Sequence, residues 1–143
     1  MNTISQTAEY ALRAVVSLAG HRDRPLTTRE IAEKTRVPAD YLSKVLQVLV
    51  RGGIVASRRG LGGGFTLARD PEELTILDVV DAVDPIQRIR ECPLHLPEHR
   101  HALCPLHRRL DQAMAAIEES LRQTTVAEIT ADRAGQVPFG GED

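Results

Sequence analysis

Residues 39–65 read ADYLSKVLQVLVRGGIVASRRGLGGGF, and the hydrophobic period changes within this stretch. Between Leu42 and Leu49 the aliphatic residues recur at helical spacing, and the glycine pair that follows is typical of a helix end. Beyond it, two short runs at 54–56 and 65–67 resemble strands and flank a tip rich in arginine and glycine. The stretch therefore predicts a helix followed by an antiparallel hairpin.

Two further helices are predicted before this stretch. Apolar residues along 4–19 follow a helical period with one buried stripe, which ends at Gly20. Thr27 and Glu30 have the spacing of a capping box and predict the start of a short second helix. Pro38 disfavours helical geometry in the residue before it. Three helices and a hairpin in this order are typical of a winged helix, whose second and third helices form a helix-turn-helix.

Downstream of the hairpin the pattern is again helical. A short helix is predicted at 75–83, a last one begins at Thr125, and a long helix at 105–123 carries an apolar stripe. The stripe consists of Leu106, Leu110, Ala113, Ile117 and Leu121. The predicted fold class is mainly α with a small β-hairpin wing: a winged helix-turn-helix domain plus a long helix.

The charge is unevenly distributed along the chain. Residues 1–70 hold 11 Lys and Arg against 6 Asp and Glu, a net +5, whereas residues 71–143 hold 7 against 14, a net −7. A basic first half favours a polyanionic partner. No run approaches the ~18 apolar residues that span a membrane, and the first residues lack a secretory pattern. The expected location is the cytoplasm, where thiols stay reduced.

The third helix and the hairpin tip supply candidate DNA contacts. Their side chains can face a major groove from the helix or reach phosphates and a narrow minor groove from the tip, where glycine lets backbone approach a duplex closely. The candidates are Tyr41, Ser43, Lys44 and Gln47 on the helix and Arg58, Arg59, Gly62 and Gly63 at the tip. The competing interpretation is a solvated helix face and an ordinary exposed arginine pair.

Three stretches resemble the IscR/NsrR group of bacterial winged-helix regulators: SQTAEYALRAV at 5–15, VPADYLSKVLQVLVRGGIVASRRGLGGGF at 37–65 and LTILDVVDAVD at 74–84. RGLGGGF is similar to the wing signature of that group. The resemblance covers about residues 1–130. It implies a transcriptional repressor that forms a homodimer through the helix at 105–123 and binds a pseudo-palindromic double-stranded DNA operator.

Both cysteines of the chain and four of its five histidines lie at 91–110, ECPLHLPEHRHALCPLHRRL. Members of the group that hold an iron–sulfur cluster use three cysteines in this loop, and the iron–sulfur cluster regulator itself adds a histidine. Cys92, Cys104 and His107 match this spacing, but Glu98 stands at the middle cysteine. The resemblance thus implies a [2Fe–2S] cluster with mixed ligands, which is chemically reasonable, rather than a [4Fe–4S] cluster held by three loop cysteines.

The fourth ligand of such a cluster is open among several residues. Glu98, His95, His99 and His101 lie in the loop itself, while Glu9 matches a carboxylate ligand that some relatives supply from the other subunit. Zinc, which two cysteines and two histidines hold well, is an alternative, as is haem ligation through a Cys-Pro pair. The remaining alternative is that the loop binds nothing and its thiols oxidise reversibly.

These features predict four segments. They are a winged helix-turn-helix DNA-binding domain at 1–84, a Cys/His cofactor or sensor loop at 85–104, a dimerisation helix with a C-terminal helix at 105–132, and a disordered tail at 133–143. The leading hypothesis is a regulator whose operator affinity responds to an iron–sulfur cluster or redox signal at Cys92 and Cys104. The alternative is a cofactor-free regulator that senses thiol oxidation or a small molecule. With no phosphate loop and no Ser-His-Asp pattern, a metalloenzyme is disfavoured, and we expect no enzymatic activity.

Overall fold

The structure is a computed structural model that describes residues 4–131. The elements are α1 (Gln6–Ala19), α2 (Thr28–Thr35), α3 (Ala39–Arg51), β1 (Val55–Arg58), β2 (Gly64–Leu67), α4 (Ile76–Val83), α5 (Pro105–Arg122) and α6 (Val126–Thr130), with a 3₁₀ turn at Pro97–His99. The mainly helical fold with one hairpin is as predicted. The predicted disorder of 133–143 falls outside the described residues.

Side chains at the helix starts explain where several helices begin. Thr27 and Glu30 form the predicted capping box of α2, and Thr75 forms a second one with Asp78 at α4. Arg24 donates to Glu30 over 2.7 Å and, together with the backbone N–H of Thr27, lowers the pKa of that carboxyl to about 2. Each cap pairs backbone N–H groups that the first turn leaves free.

Helix α1 is the centre of the core and contacts α2, α3, α4 and α6. Ala8, Ala11 and Ala14 are fully buried along it. Because alanine ends at Cβ, the neighbouring helices pack close to the α1 backbone, and the larger residues Leu42 and Leu46 of α3 fill the space beside it. The core thus orients α2 and α3 against one common helix.

The hairpin is attached to the segment before α2. Val55 pairs with Leu67 and Arg58 with Gly64, so β1 extends two residues further towards the tip than the predicted run at 54–56. The apolar pattern missed these residues because Arg58 and its neighbour are exposed and pair only through their backbone. Leu26 exchanges two backbone hydrogen bonds, of 3.0 and 2.8 Å, with Phe65 on β2.

None of the residues of α5 is buried within the described part of the chain. Leu106 and Leu110, in its first half, are 62% and 45% exposed. Its C-terminal end is held where the Ile76 N–H donates to the Thr124 carbonyl over 2.9 Å. The predicted apolar stripe therefore lies largely outside the core. No helix within 4–131 combines the length and hydrophobicity needed to cross a bilayer.

Gly64 is a position where an added methyl group is expected to disturb the attachment of the wing to Leu26. Its φ is +145°, and a Cβ would lie 2.5 Å from the Leu26 carbonyl oxygen, so Gly64→Ala should lower the free energy of unfolding by about 1–3 kcal/mol. Urea unfolding followed by circular dichroism measures this. Gly20→Ala is the control, because a Cβ there meets nothing nearer than 3.6 Å. Equal unfolding midpoints for Gly64→Ala and wild type would contradict the attachment of β2 to Leu26.

Candidate DNA-binding surface and cysteine loop

The predicted contact residues of α3 lie on one exposed face of that helix. Tyr41, Ser43, Lys44 and Gln47 are all exposed, while the aliphatic residues between them are buried in the core. This separation follows from the helical period, because the apolar stripe faces α1 and leaves the polar side outward. The face has the hydroxyl, ammonium and amide groups that read base edges. Contact with DNA by these residues stays a prediction.

Tyr41 has a second, structural role that the sequence pattern did not indicate. Its hydroxyl hydrogen-bonds to the Thr7 hydroxyl, and its ring meets the Tyr10 ring edge-on, with 5.4 Å between centroids and 79° between planes. Edge-to-face contact is a favoured aromatic arrangement. Tyr41 therefore ties the first turn of α3 to α1.

Arg13 joins α1 to the end of α2. Its guanidinium donates to the Thr35 carbonyl at the end of α2 over 3.1 Å and lies 5.3 Å from the centroid of the Tyr10 ring. It also pairs with Glu9 at 2.8 Å. Glu9, a predicted fourth metal ligand, is thus an ion-pair partner in this structure. The four-residue separation of Glu9 and Arg13 was the available signal for that pair.

The tip of the wing is a hydrogen-bonded turn. The Gly63 N–H donates to the Gly60 carbonyl over 3.0 Å, and Gly62 has φ +74°, as the third residue of a type II turn requires. A Cβ on Gly63 would lie 2.2 Å from the Arg58 carbonyl oxygen. Glycine at 63 is therefore needed to close the turn. Its predicted approach to a duplex, like that of Gly62, stays a prediction.

Arg58 and Arg59 remain available at this tip. Both are exposed, and neither forms an ion pair with any residue of the described range 4–131. Guanidinium groups without a carboxylate partner can bind phosphate without first breaking an internal ion pair.

The two cysteines lie in separate thiol–imidazole pairs. Cys92 is only 5% exposed, and its Sγ lies 3.4 Å from His99 Nδ1. Cys104 is partly buried, with Sγ 3.3 Å from His107 Nδ1. The backbone N–H of Leu96 and the His99 imidazole lower the pKa of the Cys92 thiol to about 7. Cys92 also lines an open cavity of about 400 Å³ formed by the loop.

The predicted metal ligands do not converge in this fold. Within 4–131 no three His, Cys, Asp or Glu side chains come together in a way that would hold a metal ion. Glu98, which stands in the place of the middle cysteine, is exposed. The donor types suit a mixed Cys/His site, but the loop as folded does not fit a group that needs four ligands.

Arg88 connects the start of the loop to α5. Its guanidinium donates twice to the Asp111 carboxylate, over 2.7 Å each time, and once to Glu118 over 2.9 Å. The Ile89 N–H donates to the same Asp111 carboxylate over 2.9 Å. Arg88 first, and then Ile89, lower the pKa of Asp111 to about 2. No pattern in the sequence predicted this group, because Asp111 lies 23 positions from Arg88 and nothing local to Arg88 indicates such a partner.

Comparison with known proteins identifies the family. A sequence profile of the Rrf2 family, described as an iron-dependent transcriptional regulator, matches residues 4–132. The chain belongs to the Rrf2 family. The transcriptional repressor NsrR of Streptomyces coelicolor is 32% identical to it over 142 residues, covering 98% of this chain and 96% of the relative. The resemblance inferred from the sequence is therefore confirmed.

Solved structures of regulators share the fold. IscR of T. potens superposes with a TM-score of 0.76 at 25% identity, covering 94% of this chain and 91% of that one. CymR of B. subtilis, a global cysteine regulator, gives a TM-score of 0.73 at 26% identity, covering 92% and 98%. The winged-helix architecture is thereby confirmed, and the Rrf2 chain described here is a transcriptional regulator.

The Arg88–Asp111 ion pair should make stability depend on pH in the acid range. Because the pair lowers the pKa of Asp111, its contribution to the free energy of unfolding is full above the ordinary aspartate pKa of about 3.9. It is lost as the pH falls towards the folded-state value of about 2. Wild type should therefore exceed Arg88→Met by a constant margin above about pH 5, and the margin should shrink below pH 4.

Urea unfolding at a series of pH values measures this margin. Arg100→Met, a change at an exposed loop arginine with no ion pair in the described residues, is the control and should show no such dependence. A margin between wild type and Arg88→Met that stays constant down to the lowest pH would contradict the assignment.

Proposed function

We propose that this protein is a homodimeric transcriptional repressor that binds a pseudo-palindromic operator and whose DNA affinity is set at the Cys92/Cys104 loop. The observation that carries the proposal is the Arg88 group. It ties the cysteine loop directly to α5, the helix whose apolar stripe is exposed at Leu106 and Leu110. A change in the loop therefore has a direct physical route to the helix that pairs two subunits.

The DNA-binding part of the proposal rests on α3 and the wing. The exposed polar face of α3 enters the major groove, where Lys44 pairs with guanine acceptors and Gln47 with adenine. Arg58 and Arg59 of the wing bind phosphates of the DNA backbone beside that groove. Two copies related by a twofold axis place their recognition helices about one or two helical turns apart, at ~34 Å per turn.

The dimer part of the proposal rests on α5. Helix α5 has 18 residues, none of which is buried against the described part of the chain, and apolar side chains such as Leu106 are left exposed. A second α5 packed along the same stripe covers these side chains from both subunits. The loop immediately precedes this helix, and Cys104 is its N-cap residue.

Thiol oxidation is the signal that the folded loop supports best. The Cys92 thiolate attacks the O–O bond of a hydroperoxide, forming a sulfenic acid and releasing water or an alcohol after protonation. The Cys104 thiolate then attacks the Cys92 sulfur and displaces hydroxide, leaving a disulfide. The peroxide accepts the two electrons. Both thiol–imidazole pairs must open in this step, because each sulfur lies beside a different histidine.

A bound [2Fe–2S] cluster is the second candidate, favoured by the match of three loop positions to the cluster-binding pattern of the IscR/NsrR group. Cys92, Cys104 and His107 would hold it, with Glu9 of a second subunit, Glu98 or His99 as the fourth ligand. Such a cluster would supply one-electron redox chemistry to the loop. Anaerobic purification separates the candidates: iron and sulfide in equal amounts with a visible absorption band support the cluster, and a colourless protein without iron supports the thiols.

Arg59 should contribute to operator affinity by phosphate contact. Arg59→Ala should weaken binding and lower the slope of log K against log salt by about 1, because one fewer counterion is released. Fluorescence anisotropy with a duplex selected by wild type from a random pool measures both quantities. Arg122→Ala, at the far end of α5, is the control and should leave both unchanged. An unaltered slope for Arg59→Ala would contradict the contact.

Cys92 should be needed for the response to a signal but not for DNA binding. Cys92→Ser should bind the selected duplex as wild type does under reducing conditions, and its affinity should no longer change after treatment with hydroperoxide. Gel-shift titrations before and after treatment measure this. An unchanged hydroperoxide response in Cys92→Ser would contradict the sensor proposal.

The same titration tests the route through Arg88. Arg88→Met keeps both cysteines, so mass spectrometry should still find the Cys92–Cys104 disulfide after oxidation. Its DNA affinity should respond much less, since the loop then keeps only the Ile89 N–H bond to Asp111 and loses the three bonds of the guanidinium to α5. A full response in this variant would show that the signal travels by another path.

A further inference from the structure

Leu61 at the corner of the wing is the most exposed large hydrophobic residue in the described range, at 108% of its reference exposure. It is the second residue of the turn closed by the Gly63 N–H and the Gly60 carbonyl. The side chain does not pack against the hydrophobic core of residues 4–131. A single exposed leucine is common on protein surfaces, so it is the position of Leu61 at the wing tip, beside two exposed arginines, that makes it a candidate contact.

The backbone around Leu61 is tightly determined. A Cβ on Gly63 would lie 2.2 Å from the Arg58 carbonyl oxygen, and one on Gly64 would lie 2.5 Å from that of Leu26. The pairing of the two strands continues as far as Arg58 and Gly64, and β2 also forms backbone hydrogen bonds with Leu26. The tip is thus presented by a short, hydrogen-bonded turn on an anchored hairpin, so its entropy cost on binding is low.

The charges next to Leu61 favour a polyanion as the partner. Arg58 and Arg59 lie within three residues of it, and both guanidiniums are exposed without an ion pair in the described chain. The minor groove of DNA matches this combination, because its phosphates attract arginine while leucine is among the apolar side chains that wedge between base steps.

We propose that Leu61 enters the minor groove beside each half-site and wedges against a flexible pyrimidine–purine step, while Arg59 holds the adjoining phosphates. This rests on the proposed function, since it assigns a further contact to the same wing. The wedge partly unstacks the step, which costs least at TA and CA steps. The operator is therefore recognised partly through the deformability of a base step to which the protein makes no hydrogen bond.

The test uses the duplex that wild-type protein selects from a random pool. Leu61→Ala should bind it roughly tenfold more weakly, because most of the buried apolar surface is lost, with an unchanged salt slope. Leu94→Ala, at an exposed leucine of the cysteine loop, is the control and should bind as wild type. The substitution at a fully exposed corner should leave the unfolding midpoint unaltered, which thermal unfolding checks.

A fluorescent base distinguishes a wedge from a simple surface contact. 2-Aminopurine placed at the flexible step should become brighter when wild-type protein binds, because unstacking relieves its quenching, and should not brighten with Leu61→Ala. A second selection with Leu61→Ala should retain the half-site bases and lose the preference at that step.

The outcomes separate this proposal from the regulator proposal. Equal affinity of Leu61→Ala and wild type, or weaker binding without any 2-aminopurine change in wild type, overturns the wedge while leaving operator binding intact. Failure of wild-type protein to enrich any duplex overturns the proposed operator binding, and the wedge with it.

Discussion

The close packing of neighbouring helices against α1 is the constraint on which the rest of the structure depends. Three buried alanines, Ala8, Ala11 and Ala14, leave room for α2, α3 and α4 near its backbone. The same helix carries Arg13 and Tyr10, which reach the end of α2 and the start of α3. One helix therefore determines both the spacing and the orientation of the helix-turn-helix.

The helices were predictable because their signals are local. A capping box such as Thr27 with Glu30 spans four residues, and the apolar stripe of α3 can be predicted from the helical spacing of its hydrophobic residues alone. The hairpin strands were placed less accurately, since Arg58 pairs through its backbone and its exposed side chain carries no apolar signal. The type II turn at the tip follows from the glycines only once the register is known.

The candidate site was predictable in part for the same reason. Exposure of Lys44 and Gln47 follows from the helical period, whereas the partners of Arg88 lie 23 and 30 positions away and leave no pattern in the sequence. Ligand spacing in the loop indicated that Cys92 and Cys104 belong to one site. The fold instead places each beside its own histidine, because a spacing motif does not specify which way an irregular loop turns each sulfur.

The backbone bridge between Leu26 and Phe65 has a consequence for regulation. Because two backbone hydrogen bonds join the wing to the residue before the N-cap of α2, we expect the wing and the helix-turn-helix to move together as one DNA-binding unit. In the proposed dimer, a signal that arrives through α5 would change the distance between two such units rather than the geometry within either. A regulator of this kind would change its residence time on the operator while recognising the same sequence in both states.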